Sequence, residues 1–163
     1  MRMMASLLTS LLAVLVLAAC ATQPPPRSEG ELISRHGRPT EEWTLPDGNR
    51  ALMYADTPLG YGSTRFIVDR EYQVIAAEPV INEDHFVRLK AGMSEEDVRH
   101  ELGRPGETSA YANLNERVWS WRYIEFGNRR MFFNAHFDAG SGRLKYTSRT
   151  PEPEPRFRVG LRH

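Results

Sequence analysis

Apolar and polar positions alternate in three stretches of the second half of the chain, a pattern typical of β-strands with one buried face. The stretches are RVWSWRYIEF from residue 117, MFFNAHFD from residue 131 and GSGRLKY from residue 140. The side chains predicted to share the buried face are Trp119, Trp121, Tyr123, Phe133, Ala135, Phe137, Leu144 and Tyr146. Because tight turns join the stretches, the sequence predicts a three-stranded antiparallel meander.

Two short helices are predicted immediately before this meander. The segment SEEDVRHEL starts at Ser94, whose hydroxyl can cap the free amides of a helix, and Gly103 with Pro105 ends it. The segment EDHFVRLKAGM predicts a further short helix that closes at Gly92. The aromatic strand face must be covered, and these helices are the available cover. The module is therefore expected to be α+β.

The first half of the chain carries the same order of elements in a degenerate form. Gly-Arg-Pro occurs at residues 37–39 and again at residues 103–105. When the two glycines are aligned, Leu-x-Tyr at residues 52–54 falls over Trp-x-Tyr at residues 121–123 after a small insertion. Ser28 starts the corresponding helix, with a glutamate three residues later as in a capping box. We therefore predict an internal duplication.

The face of the meander opposite the tryptophans is apolar as well. Its apolar residues are Val118, Ile124, Phe126 and Phe132. The solvated face of an antiparallel sheet is normally polar. Either this face packs on the other module, or it is an interaction surface.

The first twenty residues resemble the signal sequence of bacterial lipoproteins. Arg2 precedes a short leucine-rich run, and Leu17, Ala18, Ala19 and Cys20 form a lipobox. The resemblance implies that residues 1–19 are cleaved and that Cys20 carries acyl chains such as palmitate. Cys20 is the only cysteine, so no intramolecular disulfide is possible. A single free thiol is unusual in a secreted protein, and acylation of Cys20 would account for it.

These features divide the chain into five parts. A signal peptide covers residues 1–19, and a proline-rich tether covers residues 20–27. A degenerate first module spans residues 28–80, and a second module spans residues 81–149. Residues 150–163 form a proline-rich basic tail that is predicted to be disordered. The two modules together predict an α+β fold in which short helices pack on one face of a small antiparallel meander sheet, repeated twice.

The charge of the chain argues against nucleic acid as a partner. There are 21 Lys and Arg residues against 21 Asp and Glu residues, so the formal net charge is zero. No basic stripe appears in the predicted folded part. The membrane attachment expected here is lipid anchoring through Cys20.

The second module resembles the SmpA/OmlA domain of the BamE family of outer-membrane lipoproteins. The match runs in order from about residue 86 to residue 148. The residues that carry it are Gly92, Met93, Ser94, Val98, Leu102, Gly103, Pro105, Trp121, Tyr123, Phe137 and Asp138. The lipobox agrees with this resemblance, and Ala21 after the cysteine favours the outer membrane over the inner membrane in the enterobacterial sorting pattern.

The resemblance implies a non-catalytic binding or scaffold module in β-barrel assembly or envelope integrity, lipid-anchored on the periplasmic face of the outer membrane. The expected partners are membrane lipid and protein components of the barrel-assembly machinery. Tandem copies of this fold also resemble the β-lactamase-inhibitor protein. The alternative is therefore a periplasmic inhibitor or adaptor that binds one enzyme through its outer sheet faces. An envelope-stress lipoprotein without a fixed complex is a third interpretation.

No catalytic motif is found in the sequence, so no enzyme activity, small-molecule substrate or cofactor is expected. The histidines are scattered without the ligand spacing of a zinc site, so no metal is expected either. The candidate contacts to lipid or a partner are Arg104, Phe126 and Phe132. Of the two Gly-Arg-Pro copies, only Arg38 and Arg104 have no local structural role, because the glycine and proline end the helix and turn the chain.

Overall fold

The computed structural model describes residues 24–56 and 58–153. The lipobox at residues 17–20 lies outside the described residues. Of the tail predicted for residues 150–163, Thr150 and Pro151 belong to the last strand, and the part from residue 154 lies outside the described residues. The first half contains α1 (Glu29–His36), β1 (Glu41–Thr44), β2 (Arg50–Ala55), β3 (Ser63–Val68) and β4 (Val74–Pro79). The second half contains α2 (Glu83–Phe86), α3 (Glu95–Leu102), β5 (Glu107–Tyr111), a 3-10 turn (Ala112–Leu114), β6 (Glu116–Glu125), β7 (Arg129–Asp138) and β8 (Leu144–Pro151).

The strands form two four-stranded antiparallel sheets, each with its strands in sequence order. Together with a few short helices, this architecture agrees with the α+β prediction at the level of fold class. The prediction of three strands per sheet was wrong. The additional strands are β1 and β5, and β5 falls in a segment without alternating apolar residues. Both are edge strands that expose polar side chains, so their sequences carry no period-two pattern.

The helices begin and end where the sequence places their caps. Ser94 accepts a hydrogen bond from the Asp97 amide, and the Asp97 carboxylate accepts one from the Ser94 amide at 2.8 Å, so α3 has a complete capping box. Ser28 caps α1 in the same way, but the Glu31 carboxylate binds the amide of Arg27 rather than that of Ser28. The helix predicted in the segment EDHFVRLKAGM is shorter than expected, because α2 ends at Phe86.

The core of the second half lies between its helices and the inner face of its sheet. Phe86 of α2 stacks on Phe133, with ring centroids 3.9 Å apart. The buried residues of this cluster are Phe86, Leu89, Val98, Leu102, Trp119, Trp121, Tyr123, Met131, Phe133, Ala135, Phe137 and Leu144. Tyr146 was wrongly predicted to join them. A β-bulge between His136 and Phe137 shifts the register, so Tyr146 lies opposite His136 on the outer face.

The first sheet is covered on both faces. Its inner face packs Leu52, Phe66 and Val68 against Leu32 of α1. Its outer face meets α3 of the second half, where Trp43 stacks on His100 with ring centroids 4.3 Å apart. The layers therefore run α1, first sheet, α3, second sheet.

Close contacts fix the position of α3 against the first sheet. A Cβ atom added at Gly103 would lie 2.9 Å from the Met53 Cγ, so only glycine fits there. Arg65 of β3 donates to the His100 carbonyl at 3.0 Å and to the Glu78 carboxylate. Consequently α3 covers the outer face of the first sheet over β1 to β3, whereas the middle of β4 stays exposed.

The loop between β2 and β3, residues 56–62, reaches across to the second sheet. The carbonyl of Pro58 accepts a hydrogen bond from Arg122, and Tyr61 donates to Glu152. The guanidinium of Arg130 lies over the Tyr61 ring, 5.9 Å from its centroid. This loop therefore covers one end of the outer face of the second sheet. Within the part of the chain that the structure describes, no helix has the length and hydropathy to cross a bilayer.

Candidate functional site

The outer face of the second sheet forms a groove of about 450 Å3. All four strands of the sheet contribute to it. Its lining residues are Glu107, Ser109, Tyr111, Leu114, Glu116, Val118, Ser120, Phe132, Asn134, His136, Tyr146, Ser148, Thr150, Pro151 and Pro153. The α3 helix covers the corresponding face of the first sheet, so this is the sheet face that stays open to a partner.

The floor of the groove is a chain of hydrogen bonds that crosses three strands. Ser120 of β6 donates to the Asn134 amide oxygen at 2.7 Å. The Asn134 nitrogen donates to the hydroxyls of Ser148 and Thr150 on β8, at 3.3 and 3.1 Å. Their polar atoms satisfy one another, so the floor can be buried under a partner without leaving these groups unpaired.

A buried carboxylate closes one end of the groove. Glu116 accepts from the Lys145 ammonium at 2.6 Å and from the Tyr146 hydroxyl at 3.2 Å, and it contacts Nδ1 of His136 at 3.2 Å. The bond from Lys145 lowers the pKa of the Glu116 carboxylate; burial opposes this, and the bonds from His136 and Tyr146 add to it. The same bond raises the pKa of Lys145. The charge at this end is therefore internally paired.

The opposite end is closed by Arg122. Its guanidinium donates to Glu152 at 2.8 Å and also pairs with Glu107. The hydroxyl of Tyr61 donates to the Glu152 carboxylate and lowers its pKa; burial opposes this, and Arg122 adds to it. Glu116 is paired with Lys145 at one end, whereas two carboxylates share Arg122 at the other. Between these ends the groove presents hydrogen-bonding groups and apolar side chains.

Three side chains at the groove, Tyr111, Leu114 and Tyr146, expose about half of their surface. Phe132 is different, because it is only 8% exposed and the Arg122 guanidinium lies 5.0 Å above its ring. An external partner would therefore bury the tyrosines and the leucine rather than Phe132.

The groove also contains a serine, a histidine and a carboxylate in series. His136 contacts the Ser148 hydroxyl through Nε2 at 2.9 Å and Glu116 through Nδ1. Acyl transfer further requires donors aimed at a developing oxyanion. On a sheet face the backbone amides point along the sheet to neighbouring strands, and the nearby Asn134 amide is already bonded to Ser148 and Thr150. In the described groove, Ser148, His136 and Asn134 are therefore engaged in the hydrogen bonds of its floor.

The structure does not bring the three predicted contacts together. Phe132 lies in the groove under Arg122, whereas Phe126 lies at the tip of the β6–β7 hairpin and is 99% exposed. Arg104 lines a separate cleft between the halves, with Glu41, Arg99 and other residues. Arg38 lines a neighbouring cleft that also contains Glu41. Each of the two Gly-Arg-Pro arginines thus lines a cleft to which Glu41 of β1 also contributes.

Sequence reasoning missed most of the groove. Tyr111 and Leu114 lie in a segment that the sequence left without an assigned element, and Tyr146 was assigned to the opposite face. The bulge that reorients Tyr146 has no local sequence marker. The alternation along β7 that buries Phe133, Ala135 and Phe137 correctly implies that Asn134 and His136 lie on the outer face. Among the described residues, no group of three or more His, Cys, Asp or Glu side chains could hold a metal ion.

No protein-family model and no curated protein matches this sequence. Two solved structures are similar over most of the chain. A candidate β-lactamase inhibitor protein from Streptococcus mutans is 13% identical, covers 76% of this chain and 82% of its own, and has a TM-score of 0.30. A DUF4309 family protein from Bacillus subtilis is 11% identical, covers 77% of this chain and 78% of its own, and has a TM-score of 0.29. Similarity at this level assigns neither a family nor a function to the chain.

Proposed function

We propose that this chain is a non-catalytic binding module, anchored to the periplasmic face of the outer membrane through acylated Cys20. The observation that carries the binding role is the groove on the second sheet, whose floor is internally hydrogen-bonded and which exposes Tyr111, Leu114 and Tyr146 among polar residues. Interfaces favour exposed tyrosines around a desolvated centre, so this groove fits a protein partner.

The partner in this proposal is a protein component of the β-barrel assembly machinery. The support is the ordered resemblance of residues 86–148 to the BamE family, together with the lipobox of residues 17–20. In the alternative proposal, the same groove holds a periplasmic enzyme that the chain inhibits or recruits. The sequence predicts that this alternative uses the outer faces of both sheets. Because α3 packs on the outer face of the first sheet, the proposed binding face is that of the second sheet alone.

We also propose that the two halves arose by duplication. Ser28 and Ser94, the N-caps of α1 and α3, form isolated bridges with Gln73 and Arg143 in the last turn of their sheets. Tyr54 donates to the Gly37 carbonyl and Trp121 donates to the Gly103 carbonyl, each at 3.1 Å. The third strand of each sheet also has a β-bulge, between Ile67 and Val68 in the first sheet and between His136 and Phe137 in the second. These shared irregular features support the duplication better than the shared strand order does.

The proposed partner and its groove are tested together by capture from native membranes. A tagged protein carrying Tyr111→Ser and Leu114→Ser should recover about tenfold less partner than the unchanged protein, because two exposed anchors of the groove are removed. A matched control carries Tyr72→Ser and Ile75→Ser, which are similarly exposed on the first half. Mass spectrometry of the captured proteins is the measurement.

Each outcome of this capture decides one part of the proposal. Recovery of barrel-assembly components that is lost in the groove variant and kept in the control supports both parts. If the groove variant captures as well as the control does, the groove is not the binding surface. Recovery of one periplasmic enzyme without any barrel-assembly component favours the inhibitor or adaptor alternative.

A further inference from the structure

The tip of the β6–β7 hairpin presents apolar side chains to solvent. Phe126 is 99% exposed, and Ile124 two residues earlier is also exposed. Gly127 and Asn128 both have positive φ, at 80° and 60°, so the turn is tight and leaves Phe126 projecting. The side chain of Phe126 therefore contributes nothing to the folding of the described residues.

A second loop brings a further apolar side chain to the same end of the molecule. Leu59, in the β2–β3 loop, is 78% exposed. It lies in sequence between Pro58, which binds Arg122, and Tyr61, which lies under Arg130. Because Arg130 pairs with Ile124 across β6 and β7, Leu59 belongs to the hairpin end of the second sheet. We call Leu59, Ile124 and Phe126 the apolar end.

The tether runs toward this end from the Tyr72 turn, where the Arg27 carbonyl accepts a hydrogen bond from the Val74 amide. The Pro24 carbonyl accepts a hydrogen bond from Arg35, two residues before Gly37 at the end of α1. The Gly37 carbonyl in turn accepts from Tyr54, which precedes the β2–β3 loop. From Pro24 back to Cys20 there are only four residues, which span at most about 14 Å when extended. Acylation of Cys20 would therefore keep the side of the protein that carries Pro24 within reach of the bilayer.

The size of the apolar end decides between a protein and a lipid surface. Three side chains of this kind bury roughly 500 Å2, whereas a stable protein interface needs about 800 Å2 on each partner. The adjacent charges are already engaged, since Arg129 pairs with Glu125 and Arg130 lies on Tyr61. Aromatic and aliphatic side chains on a projecting turn, with arginines at its base, are suited to the interface between lipid headgroups and acyl chains.

We propose that the apolar end inserts into the interfacial layer of the bilayer and so fixes the orientation of the protein on the membrane. This inference rests on the proposed acylation of Cys20 for its proximity to lipid. Insertion is driven by apolar area, so it does not depend on anionic headgroups. In this orientation the apolar end faces the bilayer, while Tyr72, at the far end of the first sheet, faces water.

The test uses the acylated full-length product reconstituted into vesicles. Phe126→Cys or Leu59→Cys supplies a single free thiol, because the native cysteine is consumed by acylation. A nitroxide label at each position reports its depth through collision with oxygen and with a water-soluble nickel chelate. Tyr72→Cys is the matched control, 60% exposed in the turn before β4. The vesicles are phosphatidylcholine alone, or phosphatidylcholine with phosphatidylglycerol.

Insertion predicts that labels at 126 and 59 lose collision with the nickel chelate in both kinds of vesicle, while the label at 72 keeps it. Adding Phe126→Asp should return the label at 59 to water without changing the melting temperature. Labels at 126 and 59 that stay in water in both vesicles would overturn the inference. So would protection that requires phosphatidylglycerol, or protection seen only in native membranes, which would indicate a protein cover.

Intact mass separates this inference from the proposed function. If the mass shows an unmodified Cys20, the acylation fails, and the same labels are then read in a Cys20→Ser background. Protection of residue 126 in that background keeps the inference while rejecting the anchor. If Cys20 is acylated but the label at residue 126 stays accessible to the nickel chelate, the anchor is kept and the inference is rejected.

Discussion

At the scale of single residues, the buried Glu116 carboxylate organises one end of the groove. Lys145 and Tyr146 of β8 and His136 of β7 all bond to this carboxylate. The pKa of Glu116 is lowered in the folded chain, first by the bond from Lys145. A carboxylate with a lowered pKa stabilises the fold fully above its unfolded pKa of about 4.3, and that stabilisation disappears as the pH falls through the folded pKa.

The substitution Glu116→Gln tests this linkage. At pH 6–7 the variant should melt at a lower temperature than the native protein, and the difference should shrink as the pH is lowered toward 3, because the native carboxylate becomes protonated. The measurement is the melting temperature as a function of pH. Glu71→Gln, in the exposed turn before β4, is the control. A melting difference that is the same at every pH would contradict the role of the ionised carboxylate.

The residues of the groove were only partly predictable from sequence. Alternation along β6 and β7 correctly places Phe132, Asn134 and His136 on the outer face. Burial of Phe132 could not be predicted, because it depends on Arg122 and on the β2–β3 loop, which is distant in sequence. Contacts of that kind are set by the tertiary arrangement and leave no periodic mark on the chain.

At the scale of elements, local chemistry determines where the helices begin. The capping box at Ser94 satisfies two groups at the start of α3, its own amide and that of Asp97. Bonds from Ser94 also lower the pKa of the Asp97 carboxylate. Such caps act within four residues of sequence, which is why the helices could be predicted. The edge strands β1 and β5 could not be predicted, because hydrogen bonding to a neighbouring strand defines them.

Removing the cap should destabilise α3 measurably. We expect Ser94→Ala to lower the free energy of unfolding by about 1 kcal/mol, since the amide of Asp97 loses its partner. The substitution Ser34→Ala, at an exposed position inside α1, should be neutral or slightly stabilising, because alanine favours helix. Urea unfolding at equilibrium measures both. Equal effects of the two substitutions would show that the cap contributes nothing.

At the scale of the whole molecule, a small polar cluster joins the two halves. Arg65 of the first sheet binds Glu78 and the carbonyl of His100 in α3. The buried His85 contacts Glu101 at 2.7 Å and lies 3.7 Å from Glu78. These contacts fix how the first sheet lies on α3. Sequence could predict the α+β class and the helix caps of each half, but not this layering, because it requires Met53 and Gly103 to meet across the junction.

Loss of Arg65 should loosen the junction rather than either core. Arg65→Ala is expected to lower the free energy of unfolding by about 1–2 kcal/mol, because Glu78 and the His100 carbonyl both lose a charged donor. It should also increase protease cleavage between residues 79 and 83. Arg129→Ala removes a largely exposed ion pair and should change stability by less than about 0.5 kcal/mol. Unchanged cleavage in Arg65→Ala would place the coupling of the halves elsewhere.

The β2–β3 loop determines whether the second half can be excised or transferred to another protein. A cut at residue 80 separates the two sheets in sequence. It also removes the β2–β3 loop from the second half, and with it the Pro58 carbonyl that binds Arg122 and the Tyr61 hydroxyl that binds Glu152. The excised second half would keep its helices and tryptophan core but would leave Arg122 without the Pro58 carbonyl and Glu152 without its tyrosine. The second half is therefore not a portable unit. Grafting it onto another protein requires a replacement for residues 56–62 as well.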